Sequence, residues 1–205
     1  MANAVLEEPL FHSAHAALLF ALNFSSQQYD RPMMNRMASP SVGNGKGLAG
    51  LSGAAQAGMI RSEIKSMGKL AEAILIARLA PRHTLCDCRA RCCSGRRANT
   101  DWTDAISHLS DHVRTTALAG CTVNGIMRRE YVIRYFSRKD ERIGIDSLAD
   151  KYEIDRHTVA AHSAKVSMLF GGAPARGDKP AVLGLEAAAT NAIDAKLREI
   201  GMVSA

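Results

Sequence analysis

The chain has 205 residues, with 26 Lys and Arg against 20 Asp and Glu and a formal net charge of +6. Only 5% of its residues are aromatic, and its apolar residues recur at helical rather than alternating spacing, which predicts an all-α protein. No apolar run has membrane-spanning length, and the apolar segment 16–22 follows Glu7 and Glu8 rather than a basic segment, so no membrane span or signal peptide is expected. These features predict a cytoplasmic protein with reduced thiols and a polyanionic partner.

Two helices separated by a loop are predicted in the N-terminal third. Residues 9–28 show a helical apolar pattern, and residues 38–53 are rich in Gly and Ser, which is typical of a flexible loop. The GNGKG segment in that loop lacks the spacing of a phosphate-binding loop. Residues 56–79 predict one long helix that ends before Pro81. Its predicted inward positions are Met59, Ile60, Ile64, Met67, Leu70, Ile74, Leu75 and Leu79.

A cysteine loop, residues 82–97, follows this helix. Clustered thiols in a reducing compartment favour a metal site over disulfides, and thiolate and imidazole ligands suit zinc. The spacing C-x-C-x3-C-C is not that of a paired zinc knuckle, so structural thiols without a metal remain an alternative. The sequence therefore predicts zinc, with four ligands drawn from five candidates: His83, Cys86, Cys88, Cys92 and Cys93.

The cysteine loop is also strongly basic, since it carries five arginines against one acid, Asp87. Such a density of guanidinium groups favours contact with nucleic-acid phosphates or with an acidic protein surface. The alternative is a solvated loop without a partner. The arginines are Arg82, Arg89, Arg91, Arg96 and Arg97, and the last four are the predicted contact residues.

Two further helices are predicted before a charged turn at residues 137–145. Thr100 or Asp101 is expected to cap the first helix, which runs to about Leu118, and residues 123–136 form the second. The inward face of the first helix comprises Trp102, Ile106, Leu109 and Val113. Cys121, in the connection between the two helices, is expected to be buried.

Residues 148–166 have the pattern of a helix-turn-helix. Leu148 lies in a short amphipathic helix, Ile154 is an apolar side chain in the turn, and Asp155 is expected to be the N-cap of the second helix. Glu153 stands where glycine is commonest in this motif, so a residue with a Cβ atom must make the turn. A helical hairpin that binds nothing is the alternative interpretation.

The second helix of this motif has two distinct faces. Val159, Val166 and Phe170 are expected to face the core, with His162 on the same packed side. The opposite face favours DNA, because alanines allow close approach to thymine methyl groups and basic side chains reach bases or phosphates. The predicted DNA-binding residues are Asp155, Arg156, His157, Ala160, Ala161, Ala164 and Lys165.

The C-terminal part is predicted as a linker, residues 171–180, and a last amphipathic helix, residues 183–200. Leu185, Ala189, Ile193, Leu197 and Ile200 form the apolar face of that helix. The sequence therefore predicts three segments. They are an N-terminal helix and flexible loop at 1–53, a helical core with the cysteine loop and a helix-turn-helix (146–170) at 54–170, and a linker with a C-terminal helix at 171–205.

Five segments together suggest a family: QQYDRPMMNRM, CDCRARCCSG, NTDWTDAI, LAGC and RYFSRKDERIGIDSLADKYEIDRHTVAAHSAKV. With them, over roughly half of its length, the chain resembles phage-encoded late-gene antitermination proteins of the Q type. The resemblance implies a sigma-like helix-turn-helix that binds a DNA element overlapping a phage promoter. It also implies that the protein joins paused bacterial RNA polymerase holoenzyme, in the host cytoplasm, and makes it ignore terminators. Some members of the family carry zinc and others do not.

Two other functions remain open. One is a site-specific repressor or activator that binds an operator without polymerase, and the other is a zinc-containing phage DNA-processing enzyme. The chain is predicted to have several helices besides the helix-turn-helix, and these favour a polymerase partner over a minimal repressor. No hydrolase, kinase or nucleotide-binding motif is found, so catalytic residues and enzyme activity are not expected. The number of copies bound to DNA is left open.

Overall fold

The computed structural model describes residues 10–24, 50–86, 88, 91, 93–177 and 180–204. These residues are mostly helical, as predicted, but they also contain four short strands that the sequence did not predict. The helices are α1 (Ala14–Asn23), α2 (Gly50–Ser66), α3 (Lys69–Leu79), α4 (Thr100–Thr115), α5 (Gly125–Phe136), α6 (Ile145–Tyr152), α7 (Arg156–Gly171) and α8 (Leu185–Glu199). The strands are β1 (His83–Leu85), β2 (Arg96–Ala98), β3 (Gly172–Ala173) and β4 (Val182–Leu183).

The chain forms two compact units, residues 1–68 with 191–205 and residues 69–190. The predicted segments instead had boundaries after residues 53 and 170. In the first unit α1 packs on α2, and the Ser13 hydroxyl accepts a hydrogen bond from the backbone N–H of Ala16 at 3.2 Å. With this cap α1 begins later than predicted, and the described residues before it, 10–12, are not helical. The core of this unit includes Leu18, Leu22, Ile60, Ile64, Ile193 and Leu197.

The prediction of a single helix at residues 56–79 is wrong, because the structure has two helices there. The backbone leaves the helical path at Gly68, which adopts a φ of 91°, a left-handed conformation that glycine accepts without a steric penalty. The break separates α2 from α3. Met59, a predicted core residue, is 53% exposed. Residues 50–53 of the predicted flexible loop belong to α2, and residues 38–49 lie outside the described part of the chain.

In the second unit α3 packs on α4, α4 on α5, and α7 on both α5 and α6. The N-cap of α4 is Asn99 rather than Thr100 or Asp101, since its side chain accepts from the Asp101 N–H at 3.1 Å. The helix ends at Thr115, before the predicted Leu118. The inward face predicted for α4 is confirmed, and the core of the unit includes Trp102, Ile106, Leu109, Val113, Met127, Tyr131, Leu148 and Phe170.

A polar cluster joins α3, α5 and α8 within this unit. The Glu186 carboxylate accepts hydrogen bonds at 2.7 Å from both the Tyr135 hydroxyl and Nη2 of Arg78, and it also bonds Nε of Arg78. Burial, together with the hydrogen bond and charge of Glu186, raises the pKa of Tyr135 well above its usual value. The Arg78 guanidinium lies over the Phe136 ring, 5.0 Å from its centroid. These contacts fix α5, on which α7 rests.

The segment predicted as a linker at residues 171–180 is partly paired. Gly172–Ala173 forms an antiparallel ladder with Val182–Leu183, although residues 178–179 are outside the described chain. A Cβ atom on Gly184 would lie 2.2 Å from the Phe170 carbonyl oxygen, so only glycine fits this close approach between α7 and α8. Ile200 follows the end of α8 and is exposed, contrary to its predicted place on the apolar face. No described helix is both long and apolar enough to cross a membrane.

Candidate nucleic-acid interface and metal centre

Three residues, 153–155, connect α6 to α7. Glu153 adopts the left-handed conformation, with φ 52° and ψ 43°, at a steric cost of about 1–2 kcal/mol for a residue with a Cβ atom. The N–H of Ile154 donates to the Ala149 carbonyl at 3.0 Å, which closes the end of α6. Glu153 therefore makes the turn between α6 and α7, and the next residue, Ile154, is half-buried.

Asp155 is the N-cap of α7, as predicted. Its Oδ2 accepts from the backbone N–H of Thr158 at 2.8 Å and from the Thr158 hydroxyl at 3.1 Å. The Thr158 N–H lowers the pKa of this carboxyl, with the Thr158 hydroxyl and the charge of His157 acting in the same direction. The carboxylate is thus engaged in positioning α7.

The two faces of α7 are as the helical spacing predicted. Val159, Val166 and Phe170 are buried. The exposed positions form one surface, which we call the α7 face: His157, Ala160, Ala161, Ala164 and Lys165. Small side chains in the middle of this face leave the helix backbone accessible, with a basic or imidazole group toward either end.

Two basic residues of α7 already have partners. Arg156 forms an ion pair with Asp146 in the first turn of α6, and both side chains are about two-thirds exposed, at 66% and 67%. Nζ of Lys165 lies 3.4 Å from Sγ of Cys121, which is half-buried rather than buried as predicted. Exposed contacts of this kind are worth about 0–1 kcal/mol, so a stronger anionic ligand could displace both.

His162 lies on the packed side of α7, as expected. Its Nδ1 is 3.4 Å from the Tyr131 hydroxyl, and the two rings meet edge-on with centroids 5.8 Å apart. Burial and the charge of Lys165 lower the pKa of His162, which keeps the ring neutral near pH 7. His162 therefore connects α7 to α5 and takes no part in the α7 face.

The cysteine loop is a β-hairpin. β1 pairs with β2 so that His83 faces Ala98 and Leu85 faces Arg96, and the Cys86 N–H donates to the Gly95 carbonyl at 2.9 Å. The hairpin places Cys86, Cys88 and Cys93 at its tip and His83 at its open end. The sequence did not predict these strands, because three-residue strands leave no clear alternation.

Three thiols converge at the hairpin tip. The Sγ atoms of Cys86, Cys88 and Cys93 all lie within 4.8 Å of one another, and this group could hold a metal ion. Tetrahedral zinc at 2.3 Å from each sulfur requires sulfurs about 3.8 Å apart, so the separation is close to that of a metal site. His83 is not part of the group, and Cys92 lies outside the described residues.

The pKa of the Cys86 thiol shows how crowded this group is. The backbone N–H of Cys88 lowers that pKa, but the hydrogen bonds with the thiols of Cys88 and Cys93 together outweigh this effect, so the pKa of Cys86 lies above its ordinary value. Neighbouring thiols resist becoming thiolates together unless a cation neutralises them. This donor set therefore fits a soft divalent cation.

The arginines of the cysteine loop divide into two groups. Arg91, Arg96 and Arg97 are exposed, and Arg89 lies outside the described chain. Arg82 is half-buried instead: its Nη2 donates to the Ser137 hydroxyl at 2.7 Å, and its guanidinium lies 5.4 Å from the Trp102 ring centroid. Arg82 therefore anchors the base of the hairpin to the loop that leads into α6.

Sequence reasoning missed the residue that holds α6 on α5. Oε1 of Glu130 accepts from the Tyr152 hydroxyl at 2.7 Å and from Nζ of Lys151 at 3.2 Å. Glu130 lies on α5 and both of its partners lie on α6, and no spacing rule connects them in the sequence. The helical spacing of α5 indicates on which side of the helix Glu130 lies, but it does not indicate which residues Glu130 contacts.

No family model, curated protein or solved structure matches the chain. The resemblance to Q-type antitermination proteins stays a prediction. The function must then be inferred from the chemistry of the α7 face and of the cysteine hairpin.

Proposed function

We propose that the protein is a transcription antitermination factor that reads duplex DNA with α7 and then acts on RNA polymerase. The observation that carries this proposal is the α7 face, a surface of three alanines between His157 and Lys165 on a helix with a capped N-terminus. In helix-turn-helix proteins the second helix enters the major groove with its N-terminal residues near the base edges.

The side chains of the α7 face match what a major groove demands. Ala160, Ala161 and Ala164 allow the helix backbone to approach base edges and thymine methyl groups. Arg156 lies at the N-terminal end, where a guanidinium can bond the O6 and N7 atoms of guanine after it leaves Asp146. Lys165 lies nearer the C-terminal half, where it would contact a phosphate.

The hairpin supplies a second surface. Zinc bound by Cys86, Cys88 and Cys93, with Cys92 as the fourth ligand, would neutralise the thiolates and hold the tip in one shape. That tip would present Arg91, Arg96 and Arg97 to phosphates or to an acidic surface of polymerase. RNA polymerase as the partner is supported by the family resemblance and by the presence of a basic surface separate from α7.

Substitutions on α7 should separate base reading from phosphate contact. Arg156→Ala should weaken binding to the specific DNA element by about 1–3 kcal/mol, because a bidentate contact to guanine is lost. Lys165→Ala should weaken binding to all sequences alike and reduce the salt slope by about one unit. A filter-binding titration at several salt concentrations measures both effects.

Asp146→Asn is the matched control, because it removes the ion-pair partner of Arg156 and leaves the guanidinium in place. Its binding to the specific element should equal or exceed that of the unchanged protein. If Arg156→Ala and Lys165→Ala both bind like the unchanged protein, α7 does not read DNA.

A single-round transcription assay with purified polymerase tests the whole proposal. The protein should increase read-through of a downstream terminator, and only on templates that carry the DNA element in cis, because DNA binding raises its local concentration at the paused enzyme. Neutralising Arg89, Arg91, Arg96 and Arg97 together should reduce the read-through. Tight binding to the element with unchanged termination would favour a repressor or activator, and a cleaved or modified template would favour a DNA-processing enzyme.

A further inference from the structure

The three thiols at the hairpin tip differ in exposure. Cys88 is exposed to solvent, whereas Cys86 and Cys93 are half-buried. Because the three Sγ atoms lie within 4.8 Å of one another, a small oxidant that reaches Cys88 has a second thiol beside it. Cysteines that respond to oxidants are accessible to solvent and have a neighbouring cysteine that completes a disulfide. The hairpin tip therefore has the arrangement of a reversible redox site.

The hairpin also indicates which thiol pairs with Cys88. Cys86 follows β1 directly, and the hydrogen bond from its N–H to the Gly95 carbonyl holds its backbone against the opposite strand. One residue separates Cys86 from Cys88, so a disulfide between them would close a small ring and depart from the usual geometry. Cys93 lies five positions after Cys88, on the approach to β2. Their sulfurs need to move from within 4.8 Å to about 2.05 Å of each other.

We propose that hydrogen peroxide oxidises Cys88 and Cys93 to a disulfide, and that this modification releases the metal from the hairpin tip. The Cys88 thiolate attacks one peroxide oxygen, so the O–O bond breaks, Cys88 becomes a sulfenic acid and hydroxide leaves. The Cys93 thiol then attacks the Cys88 sulfur, the S–O bond breaks and water leaves. The hydroxide takes up the proton that Cys88 lost. In sum, two thiols are oxidised to one disulfide and one peroxide is reduced to two waters.

The disulfide changes both the metal site and the basic surface of the tip. A disulfide sulfur has no negative charge, so within the thiol group only Cys86 remains as a thiolate ligand. Arg91 lies between the two linked cysteines in the sequence, and the link therefore changes how the tip presents this guanidinium. This consequence rests on the proposed function, in which the arginines of the tip meet phosphates or polymerase. In a reducing compartment such disulfides are transient, which suits a reversible control.

The test uses the full chain, reduced and loaded with zinc, and treated with a few equivalents of hydrogen peroxide. The protein should lose about two free thiols per chain and release its zinc, measured with a thiol reagent and a zinc indicator. Excess dithiothreitol followed by added zinc should restore both. Cys121→Ser is the matched control, because Cys121 lies outside the thiol group and its loss should leave the response unchanged. Cys88→Ser should form no disulfide at the same dose.

Mass spectrometry of the unchanged protein identifies the linked pair even where a variant fails to fold. Asp87 lies between Cys86 and Cys88, so cleavage before aspartate and after arginine places the two cysteines in different peptides. The oxidised protein should give the Cys88 peptide linked to the peptide that begins at Cys92. The same experiment with Cys92→Ser, which leaves Cys93 as the only cysteine of that second peptide, confirms the partner. A full set of thiols after treatment, or a link that excludes Cys88, would overturn the inference.

DNA binding and transcription separate this inference from the proposed function. The oxidised protein should bind the DNA element as tightly as the reduced protein, because the α7 face contains none of the oxidised cysteines. It should give less read-through, and dithiothreitol with zinc should restore the loss. Equal read-through by the two forms would reject the control of function by peroxide. A Cys88–Cys93 disulfide in a protein that neither binds DNA nor supports read-through would keep the redox site and reject the proposed function.

Discussion

Cys93→Ser should reduce the zinc content of the purified protein from about one ion per chain to nearly none. The three thiols at the hairpin tip lie within 4.8 Å of one another, so the loss of one leaves too few ligands to hold the ion tightly. Bound zinc should also stabilise the folded chain, by about 4 kcal/mol when free zinc exceeds its Kd 1,000-fold. The variant should therefore melt at a lower temperature than the zinc-loaded protein. Elemental analysis and thermal melting with and without a chelator measure the two effects.

Cys121→Ser is the matched control, because Cys121 lies in the connection between α4 and α5 and is not part of the thiol group. It should keep the full zinc content. Equal loss of zinc from both variants would show that the ion is not held at the hairpin tip. Protein purified without chelator and found to contain no metal would reject the metal site and leave a loop of thiols.

Phe170→Ala should destabilise the second unit by about 3–5 kcal/mol, the usual cost of removing a fully buried aromatic ring. The Phe170 ring is fully buried and lies 5.3 Å from the Tyr135 centroid and 5.1 Å from the Phe136 centroid. These contacts hold the C-terminal half of α7 on α5. If α7 binds DNA as we propose, the loss should also reduce DNA binding, because the α7 face is no longer held in one orientation. Urea denaturation measures the free energy of unfolding.

Met168→Ala serves as the control, since it shortens an apolar side chain on the same turn of α7 that is 61% exposed. Its free energy of unfolding should remain within about 0.5 kcal/mol of the original value. A change of less than about 1 kcal/mol for Phe170→Ala, similar to that of the control, would contradict the packing described for α7.

Helical periodicity was sufficient to predict the faces of the long amphipathic elements. Trp102, Ile106 and Leu109 recur at helical spacing, and burial of one face follows from that spacing whatever the helix packs against. The same reasoning predicted the buried and exposed sides of α7. The cap at Asp155 was also predictable, because it depends on hydrogen bonds to residues only a few positions away.

Breaks in helices and short strands were harder to predict from the sequence. The apolar pattern runs through Gly68 without interruption, so periodicity alone favoured one helix at residues 56–79. A single glycine is compatible with both a continuous and a broken helix, and in the structure the helix breaks at Gly68, where the first unit ends. The β1–β2 hairpin was missed for a similar reason, since its pairing is set by contacts between strands rather than by alternation within them.

The sequence by itself determined the helical class, the capped turn between α6 and α7 and the candidate metal ligands of the cysteine loop. These depend on residue types and short spacings, which act through local hydrogen bonds and the period of the helix. Only the tertiary structure decided that three cysteines meet while His83 lies at the far end of the hairpin. Only it brought Glu130 of α5 to Tyr152 and Lys151 of α6. Both outcomes depend on distances between side chains from separate elements, which the packing of the whole unit sets and no spacing rule along the chain contains.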